Sequence, residues 1–388
     1  MLADGGPSPT PISLVIITDP GKDLDDEMAL IMLSALWKLG MVDPRCVVTN
    51  LHPAAERATL ARGTLDVLGL QHVPVGCGTD GGDRSSPPMN LPSYAPTPSQ
   101  PFPSGAELLD SVLQAAEDHS LTLLLISSLR DAADLLQANE PLFVLKVNRV
   151  VVMGGVEPEM CDGELRPDQA HNNEFDPAAA AFFYKRVQGL GIQIVTVTRR
   201  AAYTCRVERQ LFDTLAASGC VIGKHLQSRQ QQSIQELWSR TVGTERFGLP
   251  ARCDKQWFCD TFCGGSEEVM KRGCDDSIWD LVETFNMYDT LALLACIPSL
   301  EEQLFSPVRC HVRGGVQHLV IGMSDQENGI ANAAACAEVL EYGYGLGLEQ
   351  QAPSDRLISS LRRLIGMREG GKDADEVIGV PGGNRFVH

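Results

Sequence analysis

Short runs of Val, Ile and Leu alternate along this chain with longer stretches whose apolar residues recur at helical spacing. The first run, Leu14-Val-Ile-Ile-Thr-Asp19, is apolar without a break and ends on a carboxylate. Further strands are predicted over 45–49, 73–76, 121–127, 147–153 and 192–198. Helices are predicted between them over 27–39, 53–68, 106–117, 132–138 and 177–186. A strand that faced water on one side would alternate apolar and polar residues. Unbroken apolar runs mean burial on both faces, which is the habit of parallel strands covered by crossover helices. The pattern therefore predicts an α/β chain with a Rossmann-like, mostly parallel central sheet and helices on both faces. In such sheets ligands bind beyond the carboxyl ends of the strands.

Two stretches depart from the rhythm. Residues 79–103 are rich in Gly, Pro and Ser without periodicity, which predicts a long loop of the kind that often serves as a lid. Residues 243–277 read as irregular, and apolar spacing over 278–294 predicts a helix. With no repeat and no clear linker, residues 13–388 read as a single domain behind a disordered leader, residues 1–12. The leader lacks the basic and apolar regions of a signal peptide, and no run of apolar residues is long enough to span a membrane. Twelve scattered cysteines without a secretory signal point to reduced thiols and a cytoplasmic protein. Cys253, Cys259, Cys263 and Cys274 form a denser patch, but they lack the paired knuckle of a zinc site and read as buried thiols. A formal net charge of −18, with no basic block, argues against nucleic acid and anionic membranes as partners. A small neutral substrate or a bound cation fits that charge better.

The chemistry lies in three motifs. Aspartates crowd the turn after the first strand, in Asp19-Pro-Gly-Lys-Asp23-Leu-Asp25-Asp26. Carboxylates this close repel one another and need a counter-charge. A hard divalent cation, calcium or magnesium, would supply it through oxygen ligands. The plainer alternative is a solvated acidic turn favoured by the helix dipole. The second motif is Met153-Gly154-Gly155 at a strand end, followed by His171-Asn172-Asn173 and the helix start Asp176-Pro177. Glycines there let the backbone approach a ligand, and Asn172 can both donate to and accept from hydroxyls. The third is Tyr288-Asp289 ahead of an apolar stretch, a pair that alone would pass for a cap.

In their order along the chain these motifs resemble the inosine–uridine preferring nucleoside hydrolase family. Val47-Val-Thr49-Asn50 is similar to the strand ending in that family's Gly-Asn, and Pro74-Val75 to its Ile-Pro-Val strand. The resemblance runs from residue 14 to residue 298 and is weak beyond. It implies the nucleoside hydrolase fold, a calcium ion at the carboxyl edge of the sheet, and hydrolysis of the N-glycosidic bond of a ribonucleoside or related N-riboside. Carried over residue by residue, Asp19 would ligate calcium and accept a proton from the attacking water. Asp26 and Asp289 would be further ligands. The backbone carbonyl of Arg130, in Ser127-Ser128-Leu129-Arg130-Asp131, would stand where the family uses a carbonyl of Gly-Pro-Leu-Thr-Asn. Asp25 would hold the sugar's 2′- and 3′-hydroxyls with Asn172, while Asn50 and the strand end at Met153 would help position the sugar. Homo-oligomers are permitted by the resemblance.

Departures from the family pattern shape the expected chemistry. The loop between Gly21 and Asp25 is longer, so Asp23 competes for the role of Asp25. Tyr288 stands where many members have a His that assists the leaving base. The family's Asn and Glu that grip the 5′-hydroxyl fall on Glu164 and Ala170, with His171 a candidate replacement. Trp257 and Phe258 offer an aromatic wall for a base, or simply core. Two rival readings remain. One is a calcium-holding sugar- or nucleoside-binding protein without turnover, which the altered positions motivate. The other is a magnesium-dependent phosphotransferase, disfavoured by the lack of a Gly-x-x-x-x-Gly-Lys-Ser/Thr loop.

Overall fold

The computed structural model describes residues 10–21, 23–82, 88–95, 98–157, 164–243, 249, 253–311, 315–349 and 355–366 of the 388-residue chain. Strands β1 (Ile12–Thr18), β2 (Val42–Thr49), β3 (Val75–Cys77), β4 (Leu121–Leu125), β5 (Val147–Gly154) and β6 (Gln193–Thr198) form most of one sheet. A two-stranded antiparallel ribbon pairs β7 (Arg206–Glu208) with β8 (Thr284–Asn286). Strands β9 (Val308–His311) and β10 (Gln317–Ile321) return to the main sheet, whose order is β3-β2-β1-β4-β5-β6-β10-β9. Every pairing in it is parallel except β10 with β9. The expected mostly parallel sheet with helices on both faces is what the chain adopts.

Side-chain alternation explains why the strands read as continuous apolar runs. Along β1, Leu14 and Ile16 face one buried cluster while Val15 and Ile17 face a second on the opposite side of the sheet. Each of the four is at most 2% exposed. Turning β1 over would find no solvated face, so its sequence has no polar phase. The reversal of strand order falls between β1 and β4, the place in an open parallel sheet where ligands bind beyond the carboxyl ends of the strands.

The helical expectations hold for Asp25–Lys38, Ala54–Val67, Gly105–Ala115, Arg130–Ala138 and Pro177–Gly189. Corrections fall on the second half. The stretch predicted irregular, 243–277, contains the helices Lys255–Phe262 and Glu267–Lys271. The helix predicted over 278–294 is instead a short 3-10 turn, strand β8 and the helix Asp289–Ala295. The apolar residues of that stretch serve three elements in turn, so their spacing mimics one helix. Residues beyond 298 supply β9, β10 and the helix Ala333–Leu348, which packs along Asp25–Lys38. The loop predicted over 79–103 has no helix or strand in its described part. Its Met89 lies against Gly21, where an added Cβ would sit 2.0 Å from the methionine methyl. At the N-terminus β1 begins at Ile12, inside the predicted leader, and residues 1–9 lie outside the described residues. No described helix is long and apolar enough to cross a membrane.

Candidate active site

The aspartate loop is fixed from below by a few buried hydrogen bonds. Asp26, 2% exposed, accepts from the Thr18 hydroxyl and from the Asp19 backbone N–H at 3.0 Å, which ties the first turn of the helix to the end of β1. Arg57, also 2% exposed, donates to the carbonyls of Asp19 and Pro20, and its guanidinium stands 3.9 Å from the Asp19 carboxylate. The same guanidinium reaches the His52 carbonyl at 3.3 Å, joining the ends of β1 and β2. Gly21 turns the chain at φ +104°, a conformation open to glycine.

These supports bring together the acidic residues the sequence singled out. Asp23, Asp25 and Asp26 each present a carboxylate oxygen within 4.8 Å of the others. Asp289 opens its helix behind them, beneath the sheet edge, where Asp25 and then Asp26, Asp23 and Asp19 act on its charge. Burial is the first cause pushing Asp19, Asp25 and Asp289 well above the ordinary carboxylate range, and the neighbouring aspartates add to it. Asp26 is pushed up to about 7, by burial and then by Asp23. Glu27 is pushed up to about 8, by burial and then by Asp26. Glu27 is 1% exposed, and no side chain among the described residues donates to its carboxylate oxygens. A buried carboxylate left this way costs folding free energy unless something charged or protonated answers it. Only Arg57 comes within ion-pair reach of the group among the described residues. An all-oxygen donor set in that state fits a hard divalent cation.

The other expected residues fall in different places. Asn50 is fully buried, with its amide donating to the Ser128 carbonyl (3.0 Å) and Asp131 (2.9 Å) and accepting from Ser127. It holds the turn after β4 against the end of β2, and that turn leads into Arg130, the first residue of its helix. The Arg130 side chain points away to Asp134 and Asp176. Asn172 donates to the Met153 carbonyl at 3.0 Å, so the second motif closes on itself at the end of β5. His171 is exposed, its ring 4.5 Å from that of Phe175. Glu164 lines a cavity of about 590 Å³ together with Arg166, Asp168, Asn173, Glu174 and Lys185, and none of the aspartates of the first motif borders it. Tyr288 meets Tyr203 edge-on, with ring centroids 6.3 Å apart, beside Asp25 and Asn286.

Packing decides between alternatives that the sequence left open at two places. Phe258 has no exposed surface and stacks on Trp238, while Trp257 packs on Phe262, so this aromatic pair is core and not a wall for a base. The cysteine patch reads as expected: Cys253, Cys259 and Cys263 are buried thiols, and the Cys259 thiol donates to the Ser266 carbonyl at 3.2 Å. Among the described residues the aspartates are the one cluster arranged to hold a metal. Arg57 and Glu27 are what sequence reasoning missed. Arg57 sits in an ordinary amphipathic stretch, and only its burial gives it away. Glu27 could have been noticed as a third acid following Asp25-Asp26 on a helix that is otherwise apolar.

No family model matches the chain, and no curated protein matches it. Solved structures do. The type III effector protein XopQ, complexed with adenosine diphosphate ribose, is 28% identical, with a TM-score of 0.75 over 87% of this chain and 95% of that one. The effector protein XOO4466 is 27% identical, with a TM-score of 0.73 over 87% and 94%. The plant nucleoside hydrolase PpNRh1 is 17% identical, with a TM-score of 0.54 over 86% and 99%, a likeness of fold alone. The sheet order and these neighbours agree: the chain has the nucleoside hydrolase fold.

Proposed function

We propose that this chain is an N-ribosidase that works with a bound divalent cation, calcium by preference, and splits an N-riboside into sugar and free base. The observation that carries this reading is the gathering of Asp19, Asp23, Asp25, Asp26, Glu27 and Asp289 at the sheet's switch point, with Arg57 alone in ion-pair reach among the described residues. Asp19, Asp26, Asp289 and the Arg130 carbonyl would hold the cation, which contributes Lewis acidity there. Asp19 accepts the proton of the water that attacks the anomeric carbon. Asp25 accepts hydrogen bonds from the sugar hydroxyls, with Asn172 and the strand end at Met153 on the same side. The C–N bond breaks through an oxocarbenium-like state, whose positive charge the carboxylates stabilise. Asn50 contributes by holding the turn that carries Arg130. Burial keeps the Tyr288 phenol protonated and pushes its pKa up, so it donates a hydrogen bond toward the base and does not release its proton. In this reading residues 13–388 act as one domain in the cytoplasm, and the family resemblance permits a homo-oligomer.

A second reading has an observation in its favour. Two neighbours above 25% identity are described as effectors, one of them complexed with adenosine diphosphate ribose. A chain of this kind could hold a riboside-like ligand without turning it over. Its altered 5′ side, at Glu164 and Ala170, suits a ligand substituted there. Release of base and reducing sugar from a nucleoside panel, with calcium and beside an Asp19→Asn control, separates the two. Turnover that falls by about 10²–10⁴-fold in the control supports the N-ribosidase. Ligand binding without any turnover in the unaltered chain supports the binding protein.

A further inference from the structure

A glycine inside a helix weakens it, so Gly63, well inside the helix Ala54–Val67, needs a reason to be there. The segment 88–95 supplies one. Its Pro92 carbonyl accepts from the Ala95 N–H at 2.9 Å, and the turn this closes lays its backbone directly on Gly63. A Cβ at Gly63 would stand 2.6 Å from both the Ala95 Cα and the Tyr94 carbonyl oxygen, closer than backbone atoms tolerate. Upstream in the segment, the Met89 N–H donates to Glu56, near the start of the same helix. The segment has no helix or strand of its own, and it is seated along that helix at two points.

From this seat Met89 and Tyr94 both reach the aspartate loop. The Met89 methyl lies against Gly21, the positive-φ residue between Asp19 and Asp23. The Tyr94 ring meets His225 of the helix Val221–Val242 edge-on, with centroids 5.6 Å apart, and its hydroxyl is buried. Glu27 and Thr64 are among the polar groups that act on that hydroxyl, and the Gly21 N–H acts in turn on Glu27. Met89 and Tyr94 thus bear on the two ends of one short stretch, 21–27, which carries Asp23, Asp25 and Asp26. The hydrogen bonds beneath the loop reach Asp19, Pro20 and Asp26, and they leave the turn at Gly21 to other contacts. Building on the cation site of the reading above, we propose that residues 88–95 are a strap, with Met89 and Tyr94 as positioning residues that fix the aspartate loop in the shape that receives its cation. Such a strap couples two places. What loosens 88–95 loosens 21–27, and a cation that orders 21–27 tightens 88–95 by the same free energy.

Gly63→Ala is the most direct test, because alanine suits a helix better than glycine while its methyl meets the strap's backbone. The full chain in chelator is followed by hydrogen exchange of peptides covering 19–27, 88–95 and, as reference, β4. Calcium affinity is then measured by calorimetry on the same proteins. Gly63→Ala and Met89→Ala should each speed exchange of 19–27 as well as of 88–95, leave β4 unchanged, and weaken calcium about tenfold. Met89→Leu should recover most of that loss, since leucine fills nearly the same space. Tyr94→Phe, which keeps the ring and removes the hydroxyl, should weaken calcium about threefold. In the unaltered chain calcium should slow exchange of 88–95. Faster exchange in 88–95 alone, with calcium affinity unchanged, would overturn the strap and leave the cation site standing. If the unaltered chain binds no calcium while 19–27 and 88–95 still loosen together, the cation site falls and the strap stands as a support of the loop. Should Gly63→Ala loosen β4 as well, the two Met89 variants decide. Affinity lost with alanine and recovered with leucine supports the strap, and equal affinity in both overturns it.

Discussion

Asp131 and Glu27 are both buried carboxylates near the carboxyl edge of the sheet, and they are treated in opposite ways. Asp131, 5% exposed, accepts from the Thr79 N–H and hydroxyl at 2.8 Å and from Asn50 at 2.9 Å. Glu27, 1% exposed, has no side-chain donor on its carboxylate among the described residues, and it stands among aspartates that raise one another. A carboxylate surrounded by donors is a clamp: it orders the loop after β3 and the turn after β4. A group of carboxylates that repel one another and have few donors between them suits a cation, and the free energy such crowding costs the empty fold is returned when a cation arrives.

Removing one acid from each side should break the symmetry of their burial most sharply. Asp289→Asn is expected to weaken calcium binding at least about a hundredfold, beyond the usual effect of groups one step removed from a metal. Turnover should fall with it, while the metal-free chain melts no lower than before. Asp131→Asn should do the reverse, costing about 1–3 kcal/mol of stability while the response to calcium survives. Melting curves of both variants with and without calcium check this. If Asp131→Asn loses the calcium response as fully as Asp289→Asn, the division into clamp and ligand site is wrong.

The same comparison shows what the sequence could and could not say. The aspartate loop was legible because Asp19, Asp25 and Asp26 lie next to one another along the chain and follow an unmistakable buried strand. The parallel sheet was legible because unbroken runs such as Leu14 to Ile17 suit nothing else. Asp131 gave no local signal, since its donors come from Thr79 and Asn50, each on a different connection. Arg57 was hidden for the same reason: its role depends on the closeness of β1 and β2, which pairing creates and spacing does not. The 278–294 stretch misled because β8 and the helix Asp289–Ala295 are both buried, so apolar residues run through the join between them. That join is where Tyr288 and Asp289 sit.

Acid and metal should also trade places in stabilising the open site, an effect of intermediate size. Asp26 rises from 3.8 to about 7 and Glu27 from 4.5 to about 8, burial leading in both. With folded values above unfolded ones, the metal-free chain binds protons that its unfolded form releases. The stability these protonated groups contribute is fully present below pH about 4 and is lost as pH rises through about 7 and then about 8. In chelator, melting temperature should therefore fall across that window. Calcium at about a hundred times its dissociation constant should restore roughly 2.7 kcal/mol at the alkaline end and much less at the acid end, where protons compete for the same oxygens. A melting temperature in chelator that climbs steadily with pH across the window would mean the aspartates are not raised as a group.

The smallest expected effect separates a backbone from its side chain. Arg130 enters the proposed cation shell only through its carbonyl, while its guanidinium lies on the surface, paired with Asp134 and Asp176. Asp176 is the N-cap of the helix Pro177–Gly189 and accepts from the Ala179 N–H at 3.0 Å, so it keeps a partner when the arginine goes. Exposed ion pairs of this kind contribute about 0–1 kcal/mol. Arg130→Ala should accordingly lower stability by no more than that and leave calcium affinity and turnover within about twofold, as calorimetry and initial rates would show. Arg130→Pro would be no fair control, because proline would disturb the turn itself and move the carbonyl. A large loss of calcium affinity in the alanine variant would mean that the side chain orders the turn after β4. The clamp would then extend from Asn50 and Asp131 out to the surface, and the border between the two kinds of carboxylate would lie further from the aspartates than their hydrogen bonds suggest.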